Sequence, residues 1–176
     1  MLYKGVADLI SDKIILRRLN AEDRLALASL INNKKIWDNL RDIVPFPYTI
    51  DDAVSFINFT KTEDPPTNFA IEYEGDLCGM IGLTRQPDVY KKTAEIGYWI
   101  GEPYWNKGIA TEAVRLITAY GFDQLGFVRI HTGIFEYNPA SMRVLEKNGF
   151  KKDGIFEKAV LKNGKIWDEH RYSKIK

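Results

Sequence analysis

The turn Asn106-Lys-Gly-Ile-Ala-Thr111 has the residue types and spacing that most directly suggest chemistry. It follows an apolar segment, Thr93 to Ile100, that predicts a strand, and it leads into a pattern that predicts a helix from Gly108 to about Leu125. The first N–H groups of a helix have no partner inside the helix and lie at the positive end of its dipole. The turn is therefore a candidate phosphate site; the alternative is an ordinary helix start with small residues for close packing.

Two common phosphate-binding loops do not fit this turn. A Walker loop requires Lys directly after its second Gly and then Ser or Thr, whereas Lys107 precedes Gly108 and Thr111 comes too late. A dinucleotide loop requires three glycines spaced as G-x-G-x-x-G, and Gly108 is the only glycine within the turn. A nucleotide-binding α/β module is kept as the alternative from a different fold.

The turn resembles the pyrophosphate arm of the GNAT superfamily, the acetyl-CoA-dependent N-acetyltransferases. The usual pattern of that family is Gln/Arg-x-x-Gly-x-Gly/Ala; Gly108 and Ala110 match it, and Trp105 replaces the Gln or Arg. The surrounding residues 104–113 are similar to the Rim-type branch, which acetylates the N-termini of ribosomal proteins, and to its many relatives. The resemblance implies acetyl-CoA as the co-substrate, with its pyrophosphate at Asn106, Lys107, Gly108, Ile109, Ala110 and Thr111.

A second segment, residues 138–150, follows at a separation typical of the same family. Asn138 is a suitable N-cap and Pro139 suits the first helical position, so the helix start is well defined. In GNAT proteins the corresponding Asn contacts the pantetheine arm, and a Ser or Tyr lies beside the sulfur. By resemblance these roles fall on Asn138 and Ser141; alone, they could be a cap and an ordinary first-turn serine. The resemblance spans residues 14–172.

Acetyl transfer to an amine requires an oxyanion donor, a route for the amine proton and an acid for the departing thiolate. The resemblance implies direct attack of the amine on the thioester. It assigns the oxyanion N–H and the pairing with the pantetheine amides to the backbone of Tyr98, Trp99 and Ile100, and it makes Ser141 the candidate acid. Cys78 is not expected to carry the acyl group, because it lies mid-strand with no His near it in sequence.

Glu95 is the candidate general base. Because side chains alternate along a strand, Glu95 shares a face with Gly97 and Trp99. That strand borders the thioester in the family, and Glu95 would act through water. The alternative is a surface carboxylate or a structural ion pair. Rim-type enzymes often place an acidic residue just before the Asn-Gly hairpin, and this chain instead has residues 158–160, Lys-Ala-Val.

Acceptor selectivity is expected to come from residues 37–48, the loop 86–91 and the last hairpin. Trp37, Phe46 and Tyr48 could form an apolar wall beside Glu95, or could equally be core aromatics. The acceptor must present a primary amine, which could belong to a protein N-terminus, a polyamine, an amino acid or an antibiotic. A non-catalytic acyl-CoA-binding module is the alternative from another functional class.

Composition predicts one domain over residues 1–176, since 176 residues with 45% hydrophobic content can bury a single sizeable core. The net charge of +1 argues against nucleic-acid or membrane-surface partners. The single cysteine and the absence of a signal-peptide core near the N-terminus favour the cytoplasm. No metal is expected, because neither histidine has suitable partners in sequence. A homodimer is implied by the resemblance alone.

The elements that position these residues are predicted in the order β-α-α-β-β-β-α-β-α-β-β. Asn20 and Thr49 predict helix starts, and Asn163-Gly164 predicts a tight hairpin. This order is that of the GNAT fold. It implies an α/β (α+β) architecture with a twisted, mostly antiparallel mixed sheet, helices on both faces, and a splayed parallel pair of strands that binds the cofactor.

Overall fold

A computed structural model describes residues 8–176. The strands are β1 (Leu9–Ile10), β2 (Ile15–Arg17), β3 (Asn68–Tyr73), β4 (Asp76–Arg85), β5 (Thr93–Ile100), β6 (Arg129–Phe135), β7 (Lys151–Lys162) and β8 (Lys165–Ile175). The helices are α1 (Arg24–Ile31), α2 (Lys34–Trp37), α3 (Ile50–Lys61), α4 (Ile109–Asp123) and α5 (Pro139–Lys147). None of the helices in this range is both long and apolar enough to cross a bilayer.

The strands form one eight-stranded sheet in the order β1-β2-β3-β4-β5-β6-β8-β7. Every neighbouring pair is antiparallel except β5 and β6, which are parallel. The predicted order of elements and the fold class are confirmed. The structure adds two short elements that the sequence pattern did not predict, the strand β1 and the helix α2.

The predicted caps explain where two helices begin. The Asn20 side chain accepts a hydrogen bond from the N–H of Glu22, and the Asp23 carboxylate accepts one from the N–H of Asn20. A 3₁₀ turn, Ala21–Asp23, therefore precedes α1. Thr49 and Asp52 make the reciprocal pair that begins α3. These bonds satisfy N–H groups that a helix start would otherwise leave unpaired.

The two faces of the sheet are covered by separate hydrophobic cores. Ala94 and Ile96 of β5 pack into the core shared with α4 and α5. Trp99 is an odd number of residues from Ala94 and Ile96 along β5, and it packs into the core shared with α1 and α3 on the other face. Because side chains alternate along a strand, Glu95 and Gly97 lie on the α1 and α3 face together with Trp99.

The last hairpin turns at Asn163-Gly164, as predicted, with φ values of 52° and 73°. Its pairing is interrupted by a bulge, because three β7 residues, 157–159, lie opposite the single β8 residue Asp168. At the bulge Lys158 has φ 53°, and its N–H donates to the Asp168 carboxylate at 2.8 Å. The bulge bends β7 where the hairpin meets the loop that follows α2.

Candidate active site

The site lies where the parallel strands β5 and β6 separate. They pair only from Thr93 to Glu95 and from Arg129 to His131, although β5 continues to Ile100 and β6 to Phe135. Beyond the last pair, Glu95 and His131, the strands diverge, and within residues 8–176 the β5 edge has no partner strand on that side. A cavity of about 860 Å³ occupies this opening. Its size suits a ligand rather than a few water molecules.

The turn before α4 forms one end of the cavity. Asn106 and Gly108 have φ values of 62° and 73°, so the two residues that flank Lys107 are both left-handed. Among residues 8–176, the N–H groups of Gly108, Ile109, Ala110 and Thr111 donate to no protein group. Successive free N–H groups in such a turn, at a helix N-terminus, form a concave anion site. The geometry fits a diphosphate.

Trp105, which stands where the family pattern has Gln or Arg, closes this turn against β5. Its indole N–H donates to the carbonyl of Ile100 at 2.7 Å. Lys107 lies over two aromatic rings, 5.3 Å from the ring centroid of Tyr73 and 5.5 Å from that of Tyr104. These contacts hold the backbone of the turn in place.

Three cations near the turn were not identified from the sequence. Lys13 Nζ lies 3.3 Å from the position that a Cβ at Gly108 would take. Arg143 and Lys147 are exposed on α5 and line the same cavity. Their i, i+4 spacing on the helix after Asn138 was the available signal, because such residues share one helix face. All three can contribute positive potential for a phosphorylated ligand.

The start of α5 forms the opposite wall. The Asn138 side chain accepts a hydrogen bond from the N–H of Ser141 at 3.1 Å, which caps the helix as predicted. Tyr98 donates its hydroxyl to the carbonyl of Ser141 at 3.1 Å, so β5 and α5 are tied across the opening. Burial raises the pKa of Tyr98, so the phenol keeps its proton at neutral pH. The Ser141 hydroxyl makes no hydrogen bond within the described chain and lines the cavity.

Tyr98→Phe is expected to lower the free energy of unfolding by about 1–2 kcal/mol, because the carbonyl of Ser141 loses a partly buried donor. Urea unfolding of the two proteins measures this difference. Tyr90→Phe is the control, since Tyr90 is 64% exposed and its ring lies away from the cavity. Equal stability of Tyr98→Phe and the wild type would show that the β5–α5 tie is not significant.

The cofactor residues expected from the sequence come together in the structure. All of them line the cavity, and they are Tyr98, Trp99, Ile100, Asn106, Lys107, Gly108, Ile109, Ala110, Thr111, Asn138 and Ser141. They derive from three separate elements, β5, the start of α4 and the start of α5. The fold thus assembles one continuous surface from segments that are remote in sequence.

Glu95 lies at the point where the strands diverge. Its side chain is 17% exposed, lines the cavity and forms an ion pair with Arg41. Arg41 comes from the irregular loop after α2 and is 64% exposed. An ion pair with so exposed a cation is weak, and a ligand cation can replace it. His131, the parallel neighbour of Glu95, has its pKa lowered by burial and is neutral at pH 7.

A second carboxylate, Glu169, reaches the cavity and was missed in the sequence. It lies on β8 across from β6, and its Oε1 would be 1.9 Å from a Cβ at Gly133. Its Oε2 accepts a hydrogen bond from Arg171 Nη1 at 3.0 Å. No local motif marks Glu169, because only the pairing of β6 with β8 brings it beside Gly133.

The aromatic residues expected to form an acceptor wall do not line the cavity. Tyr48 is buried in the core with α1 and α3. Trp37 donates its indole N–H to the carbonyl of Val44 at 2.8 Å and stacks on Phe46 with ring centroids 5.2 Å apart. Lys162 Nζ lies 3.3 Å from the centroid of the Trp37 ring. Trp37 and Phe46 therefore shape the loop, whereas its other residues, Leu40, Arg41, Ile43 and Val44, contact the cavity.

Neither a thiol nor a cluster of metal ligands contributes to the site. Cys78 is fully buried in β4, and burial raises its pKa to about 12. A thiol with that pKa is protonated at neutral pH and is a poor nucleophile. Over residues 8–176 there is no group of three or more His, Cys, Asp or Glu side chains placed to hold a metal ion.

Comparison with known proteins relates this geometry to a family. The family model described as an acetyltransferase (GNAT) domain matches residues 13–151. The uncharacterized N-acetyltransferase YoaA of Bacillus subtilis is 31% identical over 173 residues, which cover 94% of this chain and 95% of that protein.

Two solved structures with bound coenzyme A compounds have the same fold. The microcin C7 self-immunity acetyltransferase MccE, in complex with acetyl-CoA and AMP, superposes with a TM-score of 0.78 at 28% identity, over 94% of this chain and 93% of that chain. RimL, the ribosomal L7/L12 alpha-N-protein acetyltransferase, in complex with coenzyme A, superposes with a TM-score of 0.84 at 20% identity, over 96% of this chain and 98% of that chain. With the divergent strands and the turn at Gly108, these matches establish that the chain belongs to the GNAT family of acetyl-CoA-dependent N-acetyltransferases.

Proposed function

We propose that this chain, as a single domain over residues 1–176, moves the acetyl group of acetyl-CoA to a primary amine by direct attack of the amine on the thioester. One observation carries the proposal. A single cavity connects the free N–H groups at Gly108 with the carboxylate of Glu95, where β5 and β6 diverge. The first end suits a diphosphate, and the second end suits the loss of a proton from an amine.

The co-substrate would lie along the walls already described. The turn 106–111 would bind the diphosphate through N–H groups, and Asn138 would contact the pantetheine arm. The unpaired edge of β5 at Tyr98, Trp99 and Ile100 would pair with the pantetheine amides and donate an N–H to the oxyanion. Backbone donors held by a sheet need no reorganisation as charge develops, which favours the transition state over the ground state.

Glu95 would accept a proton from the amine, and Ser141 would donate one to the leaving group. An amine arrives protonated at neutral pH, so it must lose a proton before it attacks. Glu95 would accept that proton through water after Arg41 leaves it. Ser141, whose hydroxyl is unpaired in the described structure, would donate a proton to the departing thiolate of coenzyme A, with the start of α5 assisting. As the carbon–sulfur bond breaks, the attacking nitrogen would lose its second proton, which would restore the Ser141 hydroxyl. The nitrogen then bears the acetyl group and coenzyme A is released as the thiol.

Ser141→Ala is expected to lower kcat by about 10- to 100-fold while the KM for acetyl-CoA stays near the wild-type value, because the hydroxyl acts on the leaving group. Steady-state release of the coenzyme A thiol measures both constants. Ser55→Ala, an exposed position on α3, is the matched control. An unchanged kcat would remove Ser141 from the mechanism.

The acceptor proposed from the sequence is a protein or peptide N-terminus, and a small amine is the second candidate. The names of solved structures with this fold include both kinds of acceptor: RimL is a ribosomal L7/L12 alpha-N-protein acetyltransferase, and another, from Vibrio cholerae, is a spermidine N-acetyltransferase in complex with CoA and spermine. Consumption of acetyl-CoA with a panel of peptides, polyamines, amino acids and aminoglycosides tests the proposal. Binding of acetyl-CoA with no turnover of any amine would favour a non-catalytic acyl-CoA-binding module instead.

A further inference from the structure

We propose that Glu169 binds a second cationic group of the acceptor, so that the preferred acceptors are extended amines with a positive charge at some distance from the reacting nitrogen. This inference rests on the proposed function, because it assigns the acceptor to the side of the cavity that carries Glu95.

Glu169 stands between two adjoining cavities. The main cavity of about 860 Å³ and a side cavity of about 220 Å³ are both lined by Glu169 and Arg41. The side cavity runs along the β7 bulge, where Ala159, Val160 and Leu161 form its wall. An acceptor that extends beyond the reaction centre can therefore pass Glu169 and continue along the hairpin.

The path from Glu95 to Glu169 follows one face of the sheet. Gly97 and Gly133 each lie two residues beyond the last paired residues, Glu95 and His131, so they flank the opening on the same face. No atom of the described residues lies within 4 Å of the position that a Cβ at Gly97 would take, whereas the Glu169 carboxylate fills that space at Gly133. The two glycines thus leave open space on β5 and allow a carboxylate to lie over β6.

The Glu169 carboxylate is held in place but has one oxygen free. Arg171 binds Oε2, and it is itself fixed by His131 Nδ1 at 3.4 Å and by the Phe156 ring, 5.2 Å from its Cζ. Within the described chain, Oε1 accepts no hydrogen bond. An oxygen of a 14% exposed carboxylate that faces a cavity favours an ammonium group, since charge-assisted bonds are stronger there than in bulk water.

The cations already present around the side cavity do not occupy this oxygen. Lys162 is 2% exposed and engages Asp42 at 2.6 Å as well as the Trp37 ring. Arg41 binds Glu95, which shows that this face accepts a cation. An acceptor with two ammonium groups would replace Arg41 at Glu95 and place its second charge on Oε1 of Glu169, with an apolar chain against Leu40 and Phe135.

Pairs of acceptors that differ in a second positive charge test this assignment. Butane-1,4-diamine is compared with butylamine, and the peptide Ala-Lys with Ala-Gln, so that small and peptide sources of the same chemistry are separated. In Glu169→Gln we expect the KM for the dicationic member to rise about tenfold, with less than about a twofold change for its monocationic partner and for kcat. Gly133→Ala, which leaves Glu169 in the chain but displaces its Oε1, is expected to show the same selective rise. Glu157→Gln, exposed on β7 and outside both cavities, is the charge-matched control.

The outcomes separate the inference from the proposed function. If the wild type acetylates no amine of the panel, the proposed function fails and the inference fails with it. If the wild type is active but Glu169→Gln raises both KM values equally, or neither, Glu169 is only a structural partner of Arg171 and the inference alone is overturned. Should Glu169→Gln fail to fold in a thermal unfolding assay, Gly133→Ala serves as the test. Its ratio of the KM for the dicationic acceptor to the KM for the monocationic partner then supports or overturns the role of Glu169.

Discussion

Gly108→Val is expected to raise the Kd for acetyl-CoA by about 100-fold. The substitution would change the conformation of the turn and so displace the N–H groups that would bind the diphosphate. Gly108 has φ 73° and ψ 8°, a conformation that a β-branched residue adopts at high cost. A Cβ there would also come 3.3 Å from Lys13 Nζ. Isothermal titration with acetyl-CoA measures the change.

Gly164→Val is the matched control for this prediction. Gly164 has the same φ of 73° but lies at the tip of the β7–β8 hairpin, with nothing within 4 Å of an added Cβ. Both variants strain the backbone, so both are expected to lose stability. Only Gly108→Val is expected to lose affinity for acetyl-CoA. Equal affinities of the two variants would place the diphosphate elsewhere.

Glu95→Gln is expected to lower kcat by about 100-fold or more, because the acceptor nitrogen loses the group that accepts its proton. The amide keeps the shape of the side chain but cannot act as a base at neutral pH. Affinity for acetyl-CoA should stay near the wild-type value, since the predicted diphosphate contacts lie at the start of α4 and the predicted pantetheine contacts on β5 use the backbone of residues 98–100, not the Glu95 side chain. Single-turnover measurements with a saturating amine separate the chemical step from binding.

Glu102→Gln provides the corresponding control. Glu102 also forms an ion pair with a cation from the segment around α2, Lys35, but it does not line the cavity. If kcat falls in both Glu95→Gln and Glu102→Gln, the loss is caused by a displaced segment around α2 and not by the absence of a base. A normal kcat in Glu95→Gln would reduce Glu95 to the structural partner of Arg41.

Arg41 connects the Glu95 prediction with the choice of acceptor. In the structure its guanidinium covers the proposed base, and its loop is held to the hairpin by Lys162 at Asp42 and at the Trp37 ring. A bound amine must therefore compete with an exposed, weakly held arginine. This competition would favour acceptors that supply more than one positive charge.

The sequence predicted the elements and the turns that line the cavity because their signals are local. The caps at Asn20, Thr49 and Asn138 and the turn at Asn163-Gly164 each depend on side chains within three residues of the backbone that they satisfy. The same holds for the turn at Gly108, whose left-handed backbone and free N–H groups follow from a few neighbouring residues.

The acceptor side could not be predicted in the same way, because its contacts join distant segments. Trp37, Phe46 and Tyr48 were plausible wall residues by type, yet the packing of the loop directs them into a core or against Lys162. The sequence by itself thus determined the family, the order of elements and the turn at Gly108. Only the tertiary structure decided that Glu169 lies over Gly133 and that Arg41 covers Glu95, since strand pairing and loop packing, not local pattern, set those distances.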